Sequence, residues 1–118
     1  MTDYNPAKVE SAIRECANRI AKGVTVCART HAEALDADRA YDQAFARAYL
    51  AAEGPAHERK YHAELATVVE RERRDVAEVA YRHADRQARA LEAELRGLQS
   101  VGASIRQMFS VAGRGEGA

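Results

Sequence analysis

From Tyr61 to Phe109 apolar residues recur at steps built from threes and fours. They are Tyr61, Leu65, Val68, Val69, Val76, Val79 and Ala80, then Leu91, Leu95, Leu98, Gly102, Ile105 and Phe109. That spacing puts them on one side of a helix. The stretch therefore predicts one very long helix, or two helices with a soft joint. From Leu91 onward the pattern sharpens into two sets spaced by seven. One is Leu91, Leu98 and Ile105, with Ala84 before them; the other is Leu95, Gly102 and Phe109, with Tyr81 and Ala88 before them. A seven-residue repeat favours helix packing of the coiled-coil kind. Gly97 and Gly102 weaken this helix locally and mark either a kink or a place where a neighbour comes near. The run from Glu70 to Asp75 is polar on every side, so the helix there is expected to bridge solvent, held by charge pairs.

The first half of the chain carries its own helical signals. Asn5-Pro6 is a start signal, because Asn caps free amides and Pro at the first helical position has no amide to leave unpaired. Val9, Ile13, Cys16, Ala17 and Ile20 follow at helical spacing. A first helix is expected from Pro6 to Lys22, with Gly23 ending it or the chain continuing through Gly23 at a cost of about 1 kcal/mol relative to Ala. A second helix is expected from Thr30 to Ala52, with Leu35, Tyr41, Phe45, Ala48, Tyr49 and Ala52 on its apolar face. Glu53-Gly54-Pro55 is the clearest break, since Gly suits the left-handed residue after a helix and Pro starts the next one. A third helix follows from Pro55 or Ala56, antiparallel to the second. The expected architecture is all-α: an N-terminal helix plus a long antiparallel helical hairpin. It forms a single domain over residues 1–112, with a frayed Met1–Tyr4 and a disordered tail from Gly113 to Ala118.

Bulky side chains are scarce. Aromatic residues are 6% of the 118 and Trp is absent, which suits a narrow seam between helices better than a large globular core. The ridge Leu91, Leu95, Leu98, Ile105, Met108 and Phe109 is accordingly expected to be covered by further copies of the chain, in an oligomeric helical assembly. Eighteen basic residues balance eighteen acidic ones, so a nucleic-acid role requires segregated charge with a basic face turned to the ligand. The two cysteines, Cys16 and Cys27, read as reduced thiols. No apolar run approaches the roughly 20 residues of a membrane span, and the N-terminus lacks a signal-peptide core. A cytoplasmic protein is expected.

No motif points to catalysis or to a cofactor. His57 and His62 are five apart, whereas a zinc helix needs two His four apart so that both face the metal. No Glu is followed by His three residues later, as a helical di-iron site requires. Asp36, Asp38 and Asp42 read as a solvated helix face rather than metal ligands. There is no Gly-rich phosphate loop and no Ser or Thr in a triad context. The chain reads as a non-enzyme with neither metal nor cofactor.

One charge pattern is informative. Arg71, Arg74, Arg82, Arg86, Arg89 and Arg96 recur at spacings of three, four and seven or their sums. Residues 79–118 hold six Arg against four acids, and residues 29–54 hold three Arg against five. Such a stripe either follows a phosphate backbone, with Arg supplying forked donors, or is a solvated face laced by pairs such as Glu78 with Arg82 and Asp85 with Arg89.

The segment Leu95 to Gly113, LRGLQSVGASIRQMFSVAG, resembles the C-terminal segment of phage recombination mediators of the UvsY type, in which a late helix ends with Gly, a hydrophobic residue and a base. The matching residues are Gly102, Ile105 and Arg106, with Phe109 and Gly113 beyond. Ala46-Arg47-Ala48-Tyr49, shortly before Gly54, is similar to the basic, Tyr-containing helix end implicated in single-strand DNA binding in that family. The resemblance implies a phage-encoded, ring-like homo-oligomer in the host bacterial cytoplasm that binds single-stranded DNA and helps load a recombinase. Contacts to DNA would come from Arg47, Arg82, Arg86, Arg89, Arg96 and Arg106. The rival expectation is a helical protein-binding or scaffold module, such as a phage inhibitor of a host enzyme or defence system, with no nucleic-acid role. A third is a small ligand held between subunits.

Overall fold

The computed structural model describes the backbone of residues 5–116 and the side chains of residues 5–112. The expected frayed Met1–Tyr4 lies outside the described residues. Three helices account for the described residues: α1, Pro6–Ala51; α2, Ala56–Ala66; and α3, Val68–Glu116. No strand occurs among the described residues, so the fold is all-α.

Asn5 starts α1 as its type suggests, its side-chain oxygen accepting the Lys8 amide at 2.9 Å. The helix then runs unbroken through Gly23, the second of the two alternatives there, so the separate helices expected over Pro6–Lys22 and Thr30–Ala52 are one. The reason lies in where the half-buried and buried residues fall. Most of them sit at 9, 13, 16, 20 and 23, and again at 27, 30, 34, 37, 41, 44 and 48, in alternating steps of four and three, with 12, 45 and 49 beside that stripe. An unbroken helix keeps the series on one stripe, and that burial outweighs the cost of about 1 kcal/mol for one helical Gly. Thr30 does not begin a helix. It is buried, and its hydroxyl donates to the Val26 and Cys27 carbonyls at 2.8 and 3.2 Å.

The turn falls where Gly54-Pro55 places it. Gly54 has φ 103°, a left-handed conformation that a side chain disfavours, and Arg59 Nε donates back to the Gly54 carbonyl at 2.7 Å. The soft joint of the Tyr61–Phe109 stretch is at Thr67. Thr67 is buried, and its hydroxyl donates to the Ala63 carbonyl at 2.7 Å. The break itself is in the backbone: Thr67 has φ −119° and ψ 24°, outside the helical range. From Val68 the helix is continuous, and its backbone stays helical past Gly113 to Glu116, in place of the expected disorder; Gly117 and Ala118 lie outside the described residues.

The chain divides into two compact units, residues 1–25 with 86–118, and residues 26–85. In the first unit the start of α1 and the end of α3 run antiparallel. The Cys16 thiol donates to the Leu91 carbonyl at 3.4 Å, and Gly102 lies against Val9 and Ile13. Val9 and Cys16 are each 2% exposed. Leu91, Leu95 and Leu98 are half-buried and Ile105 is buried. The sequence pattern assigns these four to an interface between copies. In the single chain they already occupy the stripe that faces α1, and Met108 and Phe109 alone of the six remain exposed.

In the second unit the buried residues are small: Thr30, Ala34, Ala37, Ala63, Thr67 and Ala84. Side chains of this size let helices approach closely. His31 stacks on Tyr81 with ring centroids 4.6 Å apart, and the Arg74 guanidinium lies 4.4 Å from the Tyr41 ring centre. These pairs also run antiparallel, the later α1 residue meeting the earlier α3 residue. On α3 the facing stripe is Glu70, Arg74, Ala77, Tyr81 and Ala84, all half-buried or buried. Tyr61, Leu65, Val68, Val69, Val76 and Val79, which the spacing places on one packed face with the leucines, are exposed instead.

Candidate nucleic-acid interface

The stripe that α3 turns toward α1 also fixes which residues point away from it. In the first unit the outermost positions are 86, 89, 93, 96, 100, 103 and 107. Their occupants are Arg86, Arg89, Ala93, Arg96, Ser100, Ala103 and Gln107, all exposed. No acid stands among them. At about 1.5 Å of rise per residue, Arg86, Arg89 and Arg96 mark out a ribbon of positive charge along the helix. The acids of this segment lie to its sides. Glu94 is engaged by Arg19 of α1 at 3.9 Å, and Glu92 is exposed.

The units also differ in charge. Residues 1–25 and 86–118 hold nine basic against six acidic residues, whereas residues 26–85 hold nine against twelve. The balanced total thus conceals a basic unit and an acidic one. Segregation of this kind is the condition a polyanion-binding role sets.

The six arginines expected at a DNA contact are not all brought together. Arg86, Arg89, Arg96 and Arg106 belong to the basic unit. Arg106 stands beside the ribbon rather than on it, at the edge of a small cleft that Pro6, Val9, Glu10, Ile13, Gly102 and Ile105 also line. Arg82 belongs to the acidic unit and is held by Glu78, Nε to Oε1 at 2.9 Å, the pair that the spacing suggests. Arg47, also in the acidic unit, reaches Gln43 at 3.4 Å. Arg74 of the sequence stripe is spent on the Tyr41 ring and on Asp75, 3.3 Å away.

Sequence reasoning missed the contacts that aromatic residues of α1 make with α3 in the acidic unit. An open cleft of about 510 Å³ is lined by His31, Leu35, Asp38, Arg74, Tyr81 and Arg82, among others. Tyr41, Phe45 and Tyr49 follow one another along α1 with ring centroids 6.1 and 6.5 Å apart. Their four-residue spacing is visible in the sequence, but the position of Tyr41 beside Arg74 depends on which residues of the two helices meet. Cys16 and Cys27 are free thiols. Among the described residues no group of three His, Cys, Asp or Glu is placed to hold a metal ion, and no helix is long and apolar enough to cross a membrane. Comparison with known proteins returns no family model, no curated protein and no solved structure that matches this chain.

Proposed function

We propose that the chain is a non-enzymatic, self-associating accessory protein that binds single-stranded DNA and assists a recombinase in the cytoplasm of a phage-infected bacterium. The observation that carries the DNA reading is the acid-free outer ribbon of Arg86, Arg89 and Arg96, set on the unit with the basic excess. Arg forks suit phosphate oxygens, and each contact releases a condensed counterion. The recombination role rests on the resemblance of residues 95–113 to UvsY-type mediators. Fluorescence anisotropy with a labelled oligonucleotide at low and high salt tests the reading. Binding at low salt that weakens steeply with added salt is expected, and a chain that leaves the oligonucleotide free at low salt removes it.

A second reading has its own observation. Val69, Val76 and Val79 are between 61% and 70% exposed on α3 of the acidic unit, more apolar surface in one row than a solvated helix needs. That surface suits a helical scaffold or an inhibitor of a host protein with no nucleic-acid role. Co-purification with one host protein at equal stoichiometry, free of nucleic acid, would favour it.

A further inference from the structure

The exposed row of the acidic unit borders a groove with two unlike walls. The groove, about 470 Å³, runs between α1 and α3. Its floor is small and apolar: Ala37, Ala40, Val76, Ala77 and Ala80. Glu33 and Asp36 edge it on α1, and Arg73 edges it on α3. The other side of the same unit differs. The cleft there is edged by Asp38, Arg74, Asp75, Glu78 and Arg82, so the apolar side is the one suited to burial.

Along α3 the sequence repeats this second face. Val69, Arg73, Val76 and Ala80 stand at steps of four, three and four, the spacing of the inward stripe rotated to the outside. A helix with two such stripes serves two neighbours. One neighbour is α1 of the same chain, and the second place is open in the single chain.

We propose that this groove is the contact through which a second copy of the chain docks, forming a two-fold four-helix arrangement. Charge selects that occupant. A copy turned half a circle about an axis along the groove lays its α1 wall over the first copy's α3 wall. Acids then meet Arg73 on both sides of the contact, as a self-complementary interface requires. Arg73 makes no ion pair within the chain among the described residues, so it is available to a partner. Glu33 and Asp36 already hold Arg29 and Arg39 of their own helix and would share those carboxylates. The small floor residues let the four helices close on one another, and Val69 and Val76 supply the apolar area that is otherwise left in water. The inference deepens the self-association in the first reading above but does not require DNA binding.

Light scattering and sedimentation on the full chain test it, with Val76→Glu as the first variant. Val76 is 70% exposed, and Glu is the better helix former, so the single chain keeps its fold and its helical circular dichroism. At about 100 μM the wild type should weigh twice the 13.0 kDa of one chain, or a higher even multiple, and Val76→Glu should weigh half as much. Arg73→Glu should weaken assembly about tenfold or more, and adding Asp36→Arg should restore it. A wild type that stays at the mass of one chain overturns the proposal. So does a Val76→Glu chain that assembles like the wild type, or assembly lost by Phe109→Ser and kept by Val76→Glu. An assembly that forms only with a different protein from the host overturns it as well. DNA binding is scored separately: a wild type of doubled mass that ignores the oligonucleotide removes the nucleic-acid reading and leaves this interface standing.

Discussion

The Cys16 thiol meets the Leu91 carbonyl 3.4 Å away, although 75 residues separate them along the chain. Cys16 is 2% exposed, and Cys27, on the same helix, is half-buried. A thiol reacts as its thiolate and only when reagent reaches it. Cys27 should therefore be titrated promptly by an aromatic disulfide reagent in the native protein, and Cys16 at least about tenfold more slowly, limited by local opening. Absorbance of the released thiolate, read with single Cys→Ala variants, checks the order. Equal rates would mean that the pairing of the two helix ends is not persistent.

Glycines in the helices have opposite expectations. A Cβ built on Gly102 stands 3.3 Å from Val9 Cγ1, whereas one built on Gly97 or Gly23 meets nothing within 4 Å. Gly97→Ala and Gly23→Ala should each stabilise by about 0.5–1 kcal/mol, because Ala is the better helix former. Gly102→Leu should destabilise by about 1–3 kcal/mol through overpacking against a nearly inaccessible, β-branched Val9. Thermal melts followed by circular dichroism read all three, as shifts of a few degrees in opposite directions.

Arg86, Arg89 and Arg96 should act together on DNA affinity. Replacing all three with Ala removes the three guanidinium groups proposed to bind phosphate. The slope of log affinity against log salt should then flatten by about two, since each phosphate neutralised on a single strand accounts for about 0.7 of it. Anisotropy titrations at three or four salt concentrations measure it. Arg82→Ala, which frees Glu78 in the acidic unit, should alter the slope much less.

Arg74 over the Tyr41 ring should be worth about 0.5–1 kcal/mol of coupling. A double-mutant cycle with Arg74→Met and Tyr41→Leu, scored by chemical denaturation, isolates that term from the packing that each substitution changes by itself. Coupling near zero would mean that the guanidinium is held by Asp75 and water instead.

Much of this architecture can be read from residue spacing, and the misses have physical causes. The heptads from Leu91 onward are dense in large aliphatics, so their period stands out. The matching stripe on α1 is built from Gly23, Cys27, Thr30, Ala34 and Ala37, which carry little hydrophobic signal; local turn chemistry at Gly23 therefore looks stronger than the long period that overrides it. The joint at Thr67 is hidden for a related reason, because it falls at a small buried residue and carries no Pro or Gly marker. Val69 and Val76 fall on the packed side in a sequence reading because threes and fours alone do not separate two neighbouring stripes; the alternation counted back from Leu91 does. The basic ribbon is legible as a run of arginines. The division of charge is not, because it depends on which end of α3 lies with which end of α1.

Gly102 also governs how the two ends find each other. Repeats of seven permit a helix to slide by one repeat and still match apolar to apolar. Sliding α3 one repeat either way would carry Leu95 or Phe109 into the place Gly102 holds against Val9. Neither fits where even a methyl group is tight, so the missing side chain works as a notch: it admits one alignment of the helical repeats and rejects the two nearest errors.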